Sequence, residues 1–433
     1  MKKLLFWWSE LKSTFWFVPV FIIFTVIVLS FALVYWDSFS GFEPSGSMKF
    51  FFPGSPDAAK GILTTIAAAM IGVAGTVFSI TLVALTLASS QFGPGLVKNF
   101  MYDRINQTVL GTYVSLFIYC LIVLNTVKDT GELQFVPLFS VAFALMMAVA
   151  NIVLLIIFIH HVANSIQADY IIGNISAKLF RNLTQLFPQE MGEEPNQNLF
   201  NPEKEKSNYA ASQVLESGFD GYLQYIDSDK LMEEASKQEV FIELFHRPGS
   251  YLVKGLELAK VYSNKNLDKE AMSRLRQHFL GGKTRTPLQD AEHAIHQMVE
   301  IAARALSPGI NDPFTAISCI DNLISSLAYL TRVKFPTAYR LDKEGTLRIQ
   351  ADILTFEGMM DAAFNAIRQY AKDSPAVIIR LMEAMVTLSK FADTSEQKQP
   401  IKKHAEMIWN QGKKYFDEEK DLNDLEKRYQ KIS

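Results

Sequence analysis

Cysteine is almost missing from this chain: there are two in 433 residues, Cys120 in an apolar run and Cys319 in a polar one. Two cysteines in such unlike surroundings exclude a disulfide framework and fit a reducing setting for the polar part. A basic excess is missing as well. The formal net charge is −3, and a nucleic-acid partner would need a basic surface that this balance does not supply. Recurrent catalytic patterns are also lacking: the sequence holds no P-loop, no G-x-S-x-G, no H-E-x-x-H and no familiar Cys/His metal spacing. No catalytic residue, metal or cofactor is therefore expected, and the chain reads as a non-enzyme.

Charge is scarce over residues 1–167, which carry 8 of the 42 Lys/Arg and 7 of the 45 Asp/Glu. What fills the space is apolar. Between Lys60 and Lys98 lie 37 residues without a charge, where about 20 suffice to cross a bilayer core as a helix. Similar runs of 24 residues (Lys12 to Asp37) and 23 residues (Arg104 to Lys128) flank it. Four spans are expected, at 14–36, 61–92, 106–127 and 134–160, the last continuing as helix to Gln167. The lysines and tryptophans of MKKLLFWWSELKS suit a membrane–water interface, and the first apolar run is too long for a cleavable signal peptide. Residues 37–59 read as a Gly/Pro/Ser-rich loop with Met48–Phe52 dipping into the interface, KDTGE as a short turn, and Gly93-Pro94-Gly95 as the stop of the second span.

Four spans put both termini on one side. Lys2, Lys3, Lys12, Lys98 and Arg104 would flank the cytoplasm against Lys49, Lys60 and Lys128 outside, which has the sign of the positive-inside tendency. The polar remainder is then cytoplasmic.

The second span is unlike an ordinary lipid-facing helix. Thr65, Ala68, Gly72, Thr76, Ser79, Thr86 and Ser90 share one stripe at helical spacing. Small residues let helix backbones approach, and hydroxyls bond across such a contact or face water. The stripe is therefore a helix-packing surface or the lining of a water path. Either way this segment is expected at the centre of the membrane part. Asn151, inside the fourth span, is a second packing or pore candidate, because a polar residue at that depth faces protein or water. His160 and His161 close that span as interfacial residues.

The polar half reads in order as an exit helix at 168–187, a Pro-broken linker at 188–210 and a small β-rich module at 213–265. From 266 to 433 helix dominates, interrupted by a hairpin at 337–351. The cadence RPGSYLVKGLELAKV looks like a biotinyl/lipoyl-type β module, but a carrier needs a lysine at an exposed hairpin tip and Lys254 sits inside the cadence. In KTRTPLQDAEHAIHQMVEIAARALSPGINDPFTA, Thr286, Pro287 and Gln289 read as a capping box opening a helix. Its apolar face would be 288, 291, 295, 298, 302 and 305. His293, His296, Glu292 and Glu300 share the other face, which reads as solvated in preference to metal-binding. The helix breaks at Ser307-Pro308-Gly309, and Asn311 or Asp312 caps a second one beginning at Pro313. The resulting corner is a structural elbow or, with Arg285, Asp290, Arg304 and Ser307, an anion or small-ligand site at a helix N-terminus. Arg348, Arg368 and Arg380, spread along the tail, read as bundle ion pairs.

These strings, above all ALSPGINDPFTA together with TTIAAAMIGVAGTVFSITLVALTLASSQFGPGLVKNF and IFIHHVANSIQ, resemble a bacterial family of predicted membrane proteins. It is known only as a domain of unknown function, number 2254. The resemblance covers residues 10–425. It implies an inner-membrane protein with a cytoplasmic C-terminal region, and no reaction, ligand or catalytic residue. The fold expected is a four-helix transmembrane domain plus a cytoplasmic α+β domain with a small β module and a helical bundle. The function expected is that of an oligomer in contact with membrane lipids, its second spans around a common axis as a channel gated by the cytoplasmic part. A non-conducting scaffold or sensor is the alternative.

Overall fold

A computed structural model describes residues 14–40, 52–93, 103–130, 133–186 and 202–432. The interfacial reading of MKKLLFWWSELKS, most of the Met48–Phe52 segment, Pro94-Gly95 of the stop and most of the linker lie outside the described residues. The chain divides into two compact units, Met1–Tyr170 and Ile171–Ser433.

The first unit is built on four helices long and apolar enough to cross a membrane: α1 (Phe17–Ser40), α2 (Pro56–Phe92), α3 (Arg104–Thr126) and α4 (Leu138–Ser165). Polar residues at their ends set the boundaries. α1 runs past the expected limit through Asp37, whose carboxylate accepts the backbone N–H groups of Phe139 and Ser140 at 2.9 Å and the Ser140 hydroxyl at 2.6 Å. It thereby caps α4, whose own preceding residue, Pro137, makes no side-chain cap bond. α2 begins at Pro56, five residues before the expected start, because Ser55 caps it (Ala58 N–H to Oγ, 3.2 Å) and proline is tolerated in a first turn. At 37 residues and 1.5 Å per residue, α2 is about 55 Å long and overreaches a hydrocarbon core of roughly 30 Å. It ends at Gly93, whose φ of +107° closes the last turn. Asp103 caps α3 and also takes His161 Nε2 at 2.8 Å, so His161 has a structural partner. In place of a simple turn, β1 (Lys128–Thr130) and β2 (Leu133–Phe135) form a two-stranded ribbon between α3 and α4.

Within one chain the centre is α3, not the second helix. Half of its most apolar window (50%) is buried, against 28% for α2. Val109, Tyr113, Leu116, Tyr119 and Val123 form one core with Leu63, Ile66, Met70 and Val77 of α2. Tyrosine hydroxyls tie α4 to this core: Tyr113 donates to the Asn151 carbonyl (2.5 Å) and Tyr119 to that of Ser140 (2.9 Å). Gly111 sets the α1–α3 crossing, since an added Cβ would meet the Pro19 Cα at 3.0 Å.

The second unit opens with most of α5 (Ala168–Leu186), whose Ile172, Ile175, Leu179 and Leu183 are fully buried. Part of the expected linker is helical, α6 (Pro202–Ser207). Then follow β3 (Ala211–Glu216), β4 (Gly221–Ile226), α7 (Ser228–Lys237), β5 (Phe241–Leu244), β6 (Tyr251–Leu252), β7 (Glu257–Ser263), α8 (Lys269–Arg276) and β8 (Phe279–Gly282). α9 (Glu292–Ala305), α10 (Pro313–Leu330), the hairpin β9 (Tyr339–Leu341)–β10 (Leu347–Gln350) and four helices, α11 (Phe356–Tyr370), α12 (Pro375–Ser389), α13 (Ser395–Tyr415) and α14 (Glu419–Tyr429), complete it.

The strands at 213–265 do not close on themselves as a module. They belong to two sheets, β3-β7-β5-β10-β9 and β6-β4-β8. The late hairpin enters the first by parallel pairing of β10 with β5 (Ile349 opposite Ile242), and β8 completes the second. Leu215, Leu223, Ile242, Leu252, Val261 and Leu275 form the shared core. Lys254 is exposed in the Val253–Leu256 turn, closed by the Leu256 N–H on the Val253 carbonyl (2.9 Å) with Gly255 at φ +88°. The turn joins strands of different sheets, however, and is not a hairpin tip.

Candidate functional site

Two regions carried the candidates. The first is the stripe of α2. Its buried face comprises Ala59, Leu63, Ile66, Ala67, Met70, Ala74, Val77, Ala84 and Ala88. Thr65, Ala68, Gly72, Thr76, Ser79, Thr86 and Ser90 are all exposed and, at about 100° per residue, stand roughly 150° around the helix from that face. The stripe therefore does not pack the chain's own helices. A Cβ added at Gly61, Gly72 or Gly75 would meet nothing within 4 Å, so no internal contact requires glycine there. The hydroxyls are satisfied locally: Thr65, Thr76, Ser79 and Thr86 donate to carbonyls four residues back and Ser90 to one three back. Asn151, by contrast, is 2% exposed, with its amide Nδ2 3.9 Å from the Met70 sulfur. It is a packing residue inside the single chain and does not join the stripe.

The second region is the segment from Arg285 to Thr315. The predicted capping box does not form. α9 begins at Glu292, and the Gln289 side chain is instead drawn to the edge of β4, where Oε1 accepts the Ile226 N–H (2.9 Å) and Nε2 donates to the Ile226 carbonyl (3.1 Å). A ladder-like pair of bonds to a strand outcompetes a cap that would satisfy one helix N–H. Leu288, expected on the helix's apolar face, lies before the helix and is exposed.

Arg285 and Asp290 meet in a two-pronged pair, Nε to Oδ2 at 2.6 Å and Nη2 to Oδ1 at 2.8 Å, with the Asp290 side chain 3% exposed. Burial works against the guanidinium charge, but the Asp290 carboxylate and the nearby Glu292 hold its pKa above the usual arginine value. Arg247, from the turn after β5, bridges Glu292 (3.0 Å) and Asp352 (3.1 Å). Gly249 of the same turn has φ +100°, and an added Cβ would stand 2.6 Å from Asp290 Oδ2. Arginine, glycine and two carboxylates thus fasten the Arg247–Ser250 turn to the start of α9. Glu292, one of the four residues on the candidate metal face, is held by Arg247 and so is committed elsewhere.

At the far end of α9, Ser307 donates to the Arg304 carbonyl (2.6 Å), and Asn311 adopts φ +49°. Asp312 caps α10, its carboxylate accepting the Thr315 N–H (3.1 Å) and hydroxyl (2.5 Å). The helix N-terminus proposed for an anion already holds the chain's own carboxylate. α9 has 14 residues, so the Asp290 and Asp312 groups stand about 20 Å apart along its axis at 1.5 Å per residue. The six residues Arg285, Asp290, Arg304, Ser307, Asn311 and Asp312 do not converge on one ligand. They form two fasteners, one at each end of a helix.

Sequence reading missed Arg247, Gly249 and Gly111, whose roles depend on distant partners. The arginine and glycine of HRPGS were the available signal for the first two. Comparison with known proteins agrees with the membrane character of the first unit. The family model described as predicted membrane protein (DUF2254) matches residues 12–387. Uncharacterized proteins of Mycobacterium tuberculosis strain H37Rv (Rv1290c) and of Mycobacterium bovis (Mb1321c) are each 29% identical over 380 residues, covering 86% of this chain and 72% of theirs. No solved structure matches the chain.

Proposed function

Since the chain belongs to the DUF2254 family of predicted membrane proteins, we propose that it is a multi-pass protein of the bacterial cytoplasmic membrane. Both termini are cytoplasmic. Copies assemble with their α2 helices around a common axis, and that axis is a pore for an ion or small solute, gated or modulated by the unit that follows residue 170. One observation carries this reading. The glycine- and hydroxyl-bearing stripe of α2 is turned away from the protomer's own core, beside exposed Ile71, Phe78, Leu82, Val83 and Leu87, whereas the outward faces of α1 and α4 are dominated by large apolar and aromatic side chains. Lipid tails offer such a small-residue face no packing advantage, and a second helix does.

Flux through liposomes holding the purified protein tests conduction, with leucine at Gly72, Thr76 and Ser79 as the perturbation. Altered or lost flux is expected, because on this reading the same face both borders the axis and packs the copies. Vesicles that stay tight across ionic, pH and tension conditions would sink the pore. The second reading is a non-conducting scaffold or sensor, favoured by the local satisfaction of every stripe hydroxyl named above, which leaves no donor in need of water. On that reading the leucine variant loses assembly.

A further inference from the structure

The second unit contains a cavity of about 830 Å³ walled by α5, α10, α12 and the residues just beyond them, within the size range of small-molecule sites. Three of its ten lining residues are aromatic. Phe180 of α5 stands edge-on to Tyr329 of α10, ring centroids 5.0 Å apart, and Phe391 is also in the lining. The Arg332 guanidinium sits 4.8 Å over the Phe391 ring. Arg332 is exposed and, among the described residues, has no carboxylate partner. Arg247, Arg274, Arg285, Arg348, Arg380 and Arg428 of the same unit are all in ion pairs. The cavity's one acid, Asp321, does not neutralise Arg332, because Arg380 holds it at 2.5 Å. An arginine stacked on an aromatic face is pre-oriented, with its planar fork of donors still available.

We propose that this cavity binds a small aromatic anion: a ring that lies among Phe180, Tyr329 and Phe391, bearing a carboxylate or phosphate that the Arg332 fork receives. Only Ile166 and Gln167 separate α4 from α5. A ligand held against α5 therefore sits on the first helix after α4 in the chain. Any effect of the ligand on conduction rests on the gating reading; the binding does not.

Calorimetric titration of the full-length protein in nanodiscs tests it, with 1-naphthyl phosphate and 2-naphthoate as probes and 1-naphthalenemethanol and inorganic phosphate as controls. Saturable binding of an aryl anion is expected, weaker by about tenfold in Arg332→Gln, as loss of a charge-assisted pair would give. Filling the cleft by Ser325→Trp abolishes it. Both positions are exposed, so unchanged circular dichroism and thermal midpoint are expected. The two aryl anions distinguish phosphate from carboxylate, and inorganic phosphate is expected to bind far more weakly than either. The proposal is overturned by three results: no saturable binding of either aryl anion, equal affinity in Arg332→Gln and Ser325→Trp, or an uncharged naphthalene that binds as well. Flux in the presence of the probe is measured separately, so failure of conduction leaves the binding result standing.

Discussion

An added Cβ at Gly111 would stand 3.0 Å from the Pro19 Cα and 3.1 Å from Ile22 Cδ1, whereas one at Gly72 would meet nothing within 4 Å. The two glycines answer to different partners, the first inside the chain. Gly111→Ala is expected to cost about 1–3 kcal/mol, because the obstruction is partly backbone. Gly72→Ala should leave the protomer unharmed, since alanine favours a helix over glycine by roughly 0.5–1 kcal/mol. Thermal midpoints of the two variants, measured in the same detergent, separate them. His404 is fully buried, with Nε2 3.1 Å from Asp361 Oδ1 and Nδ1 without a hydrogen-bond partner. Burial lowers its pKa, and the opposing attraction of Asp361 does not restore it. The folded chain thus binds this proton less readily than the unfolded one, in which histidine titrates near about 6.5. Its contribution to stability is complete above that value and declines as pH falls through it toward the lower folded-state pKa. Between pH 7.5 and 5.5 the midpoint should drop, and His404→Gln should drop less. Parallel slopes would exclude His404 as the cause.

At the scale of elements, the four apolar helices were legible because lack of charge over 20 or more residues leaves few alternatives in water. The Pro313 start and the hairpin within 337–351 were legible because proline and glycine act locally. The start of α9 was not. Its sequence carries a sound capping box, but Gln289 bonds to Ile226, 63 residues away in the chain. No periodicity records such a partner. Nor could pattern alone predict that β10 lies parallel to β5, more than 100 residues earlier. What fixes α9 in place is the Arg285–Asp290 pair together with Gln289. Asp290→Ala strands a partly buried guanidinium, and breaking a buried pair costs about 3–5 kcal/mol. The expected loss is near the lower figure, because Arg285 keeps 22% exposure and Glu292 remains 3.7 Å away. Denaturant unfolding measures it. A loss under about 1 kcal/mol, the range of surface pairs, would mean that the pair is not a fastener.

At the scale of the molecule, the question is what covers the stripe on α2. A lone protomer would leave Gly and hydroxyl residues against lipid for the length of a span. Polar backbone and small side chains gain nothing there, while a second helix can approach them closely. The native cysteines are suited to testing this. Both are free and buried, and burial raises the pKa of the Cys319 thiol, which suppresses the thiolate needed for exchange. New cysteines at Ala68, Thr76 or Thr86 would lie on the stripe, and one at Val153 of α4 would lie on an outward apolar face. Mild oxidation in native membranes should then link copies through at least one stripe position and leave the Val153 variant monomeric. A disulfide requires Cα atoms within about 7 Å, so the link would report helix contact and not mere crowding. Linking at Val153 and none along the stripe would move the contact surface to α4 and remove the α2 axis on which conduction depends.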